Sequence, residues 1–499
     1  MQDVYPYGRQ YLISNKKLIL FDDWKVASIT DSLHIHFHHA IEQSYYQKEK
    51  VYIYLLGYML NPRNPSQTNE DILKELSQYT DIHRFISATS YYGGRYLLLY
   101  SNASGSYIVP DSLAYREAYY YFDVTDFYIA SQPKLIAKFI ALEERKDPDF
   151  LNFVNSQPFQ NLNIKSYIGE VTHFKEVKHL LPNHYLDIGE KRTKRFWFGE
   201  DIAKDTLSIT EAVTEVANLV KGLTQAMASR HQISIAFTSG WDSRLTVAAS
   251  REIKDEVLYY VNQYPHMTHK TPDITVPKKL SAKLGIDFHI YPIEKNPTEA
   301  FRKAYLESYD YPVESLLNVH YTRYKTGQGR ITTLTIGSEI GRGSKMARSF
   351  YESNLSLTPL MLSKLAYYGE NQFAMAQCKD WLENQVNQVN TQNIHLVDLF
   401  FWEQRIGNWG ARSATLADFY RETFTVFNCR ELLIKMLSLP PKYRQHDSIL
   451  YTKVMELLWK DILSLPINPP ANFKEWLKKK LRDFGVFNYL KVLKYKKMS

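Results

Sequence analysis

From residue 233 to residue 337, short apolar runs alternate with helical segments, and that rhythm admits few folds. ISIAF (233–237), VLYYVNQY (257–264), FHIYPI (288–293) and ITTLTIG (331–337) read as strands. Helices are expected over 244–251, 273–284 and near 297–308. Strands without polar alternation are buried on both faces, and a strand–helix–strand succession puts helices on both sides of a parallel sheet. Ligands of such sheets bind beyond the carboxyl ends of the strands. Two segments fall there, TSGWDS (238–243) and GSEIGRG (337–343).

The first of these has a clear local chemistry. Thr238, Ser239 and Gly240 are small, so the backbone N–H groups at the following helix start can approach a ligand closely. Those groups lack intrahelical partners and sit at the positive end of the helix dipole, which suits an anion. Asp242 accepts only when ionised and suits a Mg²⁺ beside phosphates. On local pattern alone, an ordinary strand–turn–helix competes with this reading.

The remainder of the 499-residue chain sets the frame. Residues 1–195 carry strand patterns at 33–39, 50–60, 95–101, 105–111, 118–124 and 127–131, with helical patterns near 69–79 and 133–142. They suggest a layered α+β domain. DIAKDTL (201–207) reads as a polar linker, and Ser208 with Glu211 forms a capping box for the helix that follows. After about 355 the pattern is helical. Cys378 and Cys429 are the only cysteines, which excludes a disulfide framework or a zinc knuckle. The first residues do not read as a secretory leader, and no apolar run has the length of a membrane span, so a soluble cytoplasmic protein is expected. The net charge of +8 comes almost wholly from residues 471–499, with nine Lys/Arg against two Asp/Glu. Phe473, Trp476, Leu477, Leu481 and Phe484 give that tail a helical aromatic face. It reads as a packed terminal helix or as peripheral contact with an anionic membrane. No groove-reading motif points to nucleic acid.

The ordered set of motifs resembles the asparagine synthetase superfamily, ATP pyrophosphatases of the PP-loop type. TSGWDS matches the family's Ser-Gly-Gly-x-Asp-Ser loop, with Gly240, Asp242 and Ser243 retained. The strand ending at Val261, followed by Asp273 and its helix, is similar to the adenosine-binding units, and TIGSEIGRG is similar to the Gly-Glu-Gly-Ala-Asp-Glu-Leu-Phe-Gly-Gly segment. EQRIGNWG, FNCRELLIKMLSLPPKYR and YTKVMELLWKDILSLP follow the C-terminal helical pattern. LLGYMLN, GGRYLLLYSN and PDSLAYREAYY resemble the glutaminase-like N-terminal domain. The resemblance therefore implies an α+β, Ntn-type sandwich over 1–200. An α/β PP-loop domain of Rossmann-like build would follow over 201–499, with a helical C-terminal part.

The family's glutaminase nucleophile is an N-terminal cysteine. Position 2 is Gln2 and the first 195 residues hold no cysteine, so no thioester can form and the domain is expected to be a scaffold. The resemblance then implies an ATP- and Mg²⁺-dependent ligase, forming AMP and pyrophosphate, that joins a small-molecule carboxylate to an amine without its own ammonia supply. Thr238, Ser239, Gly240, Asp242, Ser243, Val261 and Gly337 would bind nucleotide; Asp242 and Glu339 would hold the metal. Glu339, Arg342 and Lys474 would be catalytic, Lys474 lying eight residues after Pro466 as in the family. Ser338 stands for the family's Asp, so one metal carboxylate is lost unless Glu339 supplies it. Arg342 could meet a phosphate or pair with Glu339. Glu422, Phe424, Val426, Phe427, Asn428 and Cys429 replace a Glu-x-Arg-x-Pro-Phe-Leu-Asp segment, which puts aspartate as substrate in doubt. Trp409 and Arg412 could line the substrate side. The alternatives are a degenerate nucleotide- or partner-binding component and an ammonia-dependent asparagine synthetase. His34, His36 and His38 share a strand face beside His39 and make zinc geometrically conceivable. A plain strand is the expectation there.

Overall fold

The computed structural model describes the chain apart from residues 1–3, 198–201, 203–206, 310, 328, 344–347, 352–355, 387–388, 390–392, 445–447, 471–476, 478–479 and 481–499. The first half holds two six-stranded antiparallel sheets. One runs in the order Lys178–His179, Tyr119–Phe122, Phe127–Ala130, Tyr11–Ser14, Leu33–His38, Trp24–Thr30. The other runs Arg192–Arg195, His184–Asp187, Gly105–Pro110, Gly93–Asn102, Val51–Leu60, Gln43–Lys48. Their inner faces share one core, which includes Tyr11, Ile13, Ile35 and Phe37 from the first sheet and Tyr54, Leu56, Leu97 and Leu99 from the second.

The side-chain period of two explains why strand Val51–Leu60 is apolar throughout. Val51, Ile53 and Leu55 face helices Asn69–Leu76 and Ile82–Thr89, while Tyr54 and Leu56 face the other sheet. Helix Pro133–Ala137 packs on the outer face of the first sheet. The result is a four-layer sandwich, helix on each outside and two sheets within.

The second half is built on a parallel sheet of five strands in the order Phe288–Pro292, Leu258–Gln263, Ile233–Ala236, Ile331–Thr333, Thr423–Phe424. The chain steps outward from Ile233–Ala236, then returns to its opposite side. The direction of winding therefore reverses between Ile233–Ala236 and Ile331–Thr333, which is where a ligand crevice opens in such sheets. Helices form at Ile209–Ala228, capped by the Ser208–Glu211 box, and at Trp241–Ala249, Pro272–Leu284 and Glu299–Ser308. The helix expected from 244 begins three residues earlier, because Gly240 takes the N-cap conformation. The strand expected over 331–337 is only three residues long, and the helical expectation after 355 is broken by Thr423–Phe424, which joins the sheet edge.

The halves interlock. The Tyr58 hydroxyl donates to the Thr423 carbonyl (2.6 Å), and Trp402 Nε1 donates to the Ser112 carbonyl (2.7 Å). Asn428 Oδ1 accepts from Ser112 Oγ and the Leu113 N–H. Among the described residues, no helix is long and apolar enough to cross a membrane.

Candidate functional site

Strand Ile233–Ala236 passes into residues 238–243 at the point where the winding reverses, and helix Trp241–Ala249 starts there with Asp242 in its first turn. On the neighbouring strand, Ile331–Thr333 leads to Gly337. Its φ is +101°, and a Cβ there would lie 2.7 Å from Leu113 and 3.1 Å from Phe427, so only glycine makes this turn. The short helix Ser338–Arg342 follows and turns two side chains toward Asp242.

Arg342 forks onto Asp242, with Nε to Oδ1 at 2.7 Å and Nη2 to Oδ2 at 2.8 Å. Burial disfavours the Arg342 cation, but the Asp242 carboxylate outweighs it and holds the guanidinium above its ordinary range. Glu339 lies beside them. Its carboxylate accepts the Gly337 N–H (3.2 Å) and the Ser338 hydroxyl (3.4 Å). Burial, and then the Asp242 charge, push its carboxyl above the usual range. The site thus gathers two carboxylates around a single guanidinium. That donor set, all oxygen with one net negative charge, fits a Mg²⁺ held by Asp242 and Glu339. Ser338 has a fully buried side chain whose hydroxyl turns to Glu339.

The loop differs from expectation in where its N–H groups point. Ser239 N–H donates to Asp273 Oδ1 (3.0 Å), as does its hydroxyl (2.6 Å). Gly240 N–H donates to Thr238 Oγ1 (3.3 Å) and Thr238 N–H to Ser243 Oγ (3.2 Å). The physical reason is that buried donors need acceptors, and the Asp273 carboxylate, at the start of helix Pro272–Leu284, supplies the anion that the loop is shaped for. Arg342 does not pair with Glu339: a fork that engages both Asp242 oxygens is the stronger geometry.

Val261 is buried within strand Leu258–Gln263, one step beyond the Ala236–Tyr260 pair. Lys474 lies outside the described residues. The segment that leads toward it does reach the loop, since Asn468 N–H donates to the Ser239 carbonyl (3.0 Å). Buried Arg244 clasps the same segment, donating to the carbonyls of Ile462 (3.3 Å), Leu465 (2.6 Å) and Pro466 (2.5 Å). Among the described residues no carboxylate pairs with it, and burial pulls its pKa down to about 10. Sequence reasoning passed over Arg244 and Asp273's contact with the loop. The one available signal was a charge, Arg244, next to the apolar residues Leu245, Val247 and Ala248 of the same helix.

Trp409 sits on the π-wound helix Phe401–Gly410, which packs beside the turn, a Cβ on Gly410 falling 3.0 Å from Ile336. Arg412 lies over the Tyr309 ring at 5.8 Å and lines a cavity with Tyr119, Tyr311 and Asn408. The histidines of strand Leu33–His38 do not converge. His34 meets Ser28 Oγ (2.9 Å), and His36 accepts the Leu18 N–H (2.9 Å). Asp23, His38 and His39 do lie together. However, His38 Nδ1 accepts the Ala40 N–H (3.0 Å), so Nε2 carries the proton and faces Asp23 at 3.1 Å. A protonated nitrogen is no metal ligand.

No protein-family model matches the chain, and no curated protein matches it. Among solved structures, the chain is similar to a glutamine-dependent NAD⁺ synthetase from Acinetobacter baumannii in complex with ADP, at 16% identity and a TM-score of 0.21. The match covers 35% of this chain and 33% of that one. An NH₃-dependent NAD synthetase from Campylobacter jejuni is 14% identical, with a TM-score of 0.19, 28% of this chain covered and 61% of the other. A glutamine PRPP amidotransferase from B. subtilis, complexed with ADP and GMP, is 10% identical, with a TM-score of 0.23, 67% of this chain covered and 71% of the other. This chain thus spans a third of the length of the Acinetobacter protein.

Proposed function

We propose that the protein is an ATP-dependent ligase of the asparagine synthetase type, which activates a small-molecule carboxylate as an acyl-adenylate, releases pyrophosphate and passes the acyl group to an amine. The observation that carries this reading is the meeting of Asp242 and Glu339, delivered from adjacent parallel strands to the point where the winding reverses. The substrate carboxylate attacks the α-phosphorus and pyrophosphate leaves. Ser239 N–H and Oγ, released from Asp273, hold it together with the Ser243 hydroxyl. Arg342, on leaving Asp242, turns its fork to the departing phosphates. A Mg²⁺ on Asp242 and Glu339 would neutralise phosphate charge. Lys474 is assigned the cation that steadies the amide-forming step.

Pyrophosphate release from ATP, assayed with a panel of carboxylates and amines on the full chain, tests this. Asp242→Asn should lower release by at least about 10²-fold, the usual cost of losing one electrostatic partner of a transition state, with the fold retained. Unchanged release by Asp242→Asn would remove Asp242 from the mechanism.

One observation favours a second reading. Asp273 and Arg342 already satisfy the loop and Asp242 from within, as they would in a component that holds nucleotide or a partner without turnover. Saturable ATP binding without pyrophosphate release from any acid would select that reading.

A further inference from the structure

A cavity of about 140 Å³ opens between helix Leu396–Phe400 and the segment 437–444. Asp398, Arg444, Ile394, Leu437 and Leu439 are among the residues that line it. None of its lining residues belongs to the Asp242–Glu339 site, and the volume falls below the roughly 300–1,000 Å³ of pockets for larger ligands.

Two of the lining residues are charged, and their side chains are each 2% exposed. Arg444 Nη2 donates to Asp398 Oδ2 (3.2 Å), Nε to the Leu439 carbonyl (2.8 Å) and Nη1 to the Gly341 carbonyl (3.0 Å). The Tyr351 hydroxyl donates to Asp398 Oδ1. These bonds take three of the five N–H groups of a guanidinium and two of the roughly four acceptor sites of a carboxylate. Both groups therefore keep hydrogen-bonding capacity. A buried ion pair is seldom more stabilising than apolar packing of the same volume, so a pair set in a cavity wall points to recognition.

The chemistry of the wall selects the guest. The pair is neutral as a whole: a free anion would meet Asp398, and a free cation would meet Arg444. A molecule with both charges side by side meets each with its opposite, its carboxylate on the guanidinium and its ammonium on Asp398. Ile394, Leu437 and Leu439 are buried and apolar, and they offer an aliphatic chain a surface to pack on. We propose that this cavity is a binding site for a small aliphatic α-amino acid, distinct from the site at Asp242. The inference does not rest on the ligase reading.

The test is calorimetry on the full chain with leucine, isoleucine and valine, then with analogues of leucine. One analogue, 4-methylpentanoate, lacks the ammonium; another, 3-methylbutylamine, lacks the carboxylate. Each should bind about 10–100-fold more weakly than leucine, the loss of a charge-assisted hydrogen bond. Glycine should lose a similar factor through the missing side chain. Saturating ATP should not displace leucine. Arg444→Lys, which keeps the charge but not the fork, should weaken leucine by about 10-fold or more. Asn393 is a half-buried lining residue outside the ion pair, and Asn393→Trp should block leucine while leaving ATP affinity unchanged. No saturable binding of any of the three amino acids at millimolar concentration overturns the proposal. So does equal binding of leucine and either analogue, or displacement of leucine by ATP, which would put it at the Asp242 site. If Arg444→Lys does not fold, Asn393→Trp decides: undiminished leucine binding in that variant places leucine elsewhere and overturns the proposal.

Discussion

Two arginine–carboxylate assemblies in this chain use the same chemistry for opposite ends. At the junction of the halves, Arg95 forks onto Asp418 (2.5 and 2.8 Å) and reaches Glu422 (2.6 Å), which Arg116 also holds (2.6 Å). The Arg95 and Asp418 side chains are each 2% exposed. At the site, Arg342 and Asp242 are 16% and 21% exposed. The first assembly is sealed, so each charge depends on its partners. The second meets solvent, so its partners can be exchanged for a ligand. Burial, rather than pairing, separates a structural ion pair from an exchangeable one.

Breaking the sealed assembly gives the largest expected effect. Burial works against the Glu422 anion, but Arg116 and Arg95 outweigh it and hold its carboxyl down to about 2. Glu422→Gln strands charge that water cannot reach. Urea unfolding should show a loss of about 3–5 kcal/mol. Asp242→Asn, measured the same way, should lose less, because that pair is partly open to solvent. Equal losses would erase the distinction between the assemblies.

The next effect is acid lability at the junction. His179 Nδ1 donates to Asn408 Oδ1 (3.1 Å) across the two halves. Burial pulls its pKa down to about 4. The unfolded chain, with an ordinary histidine near pH 6.5, binds the proton more readily, so stability falls as pH drops from about 6.5 to 4. The loss from this one residue reaches about 3 kcal/mol by pH 4. At the site the sign is opposite. Glu339 is raised above its unfolded value, so acidification relieves its repulsion from Asp242. Unfolding free energies at pH 7 and pH 5 for the natural protein and His179→Asn measure this. A variant with the same pH slope as the natural protein would show that His179 is not a source of the lability.

The contrast also shows what the sequence makes visible. The doubly wound rhythm is legible because strands buried on both faces write unbroken apolar runs, and Ser208 with Glu211 is legible because a capping box is local. The loop and the Gly337 turn are legible for the same reason. Thr423–Phe424 is not, since two residues at a sheet edge leave no period to read. Nor are Arg342 on Asp242, Asp273 on Ser239 or Arg244 on Pro466, because pairs separated by 100, 34 and 222 residues carry no local signature. Strand periodicity puts the histidines of Leu33–His38 on one face, as expected of a plain strand, but their individual partners, Ser28, Leu18 and Ala40, carry no such period.

The smallest effect bears most directly on whether the exposed pair is exchangeable. Arg342 neutralises Asp242, so a divalent cation must displace a guanidinium to bind there. If the fork is a resident counter-ion, Arg342→Gln removes the competitor and the cation should bind tighter without ATP, by roughly 5–10-fold for a pair worth about 1 kcal/mol. Mn²⁺, followed by electron paramagnetic resonance, reads this without any turnover. With ATP present the order should reverse, because Arg342 is then free to meet the phosphates and its loss weakens nucleotide binding. Asp242→Asn should abolish tight Mn²⁺ binding in both backgrounds. A Mn²⁺ affinity that Arg342→Gln leaves untouched would mean the fork does not compete with the metal, and the exposed pair would then be as structural as the sealed one.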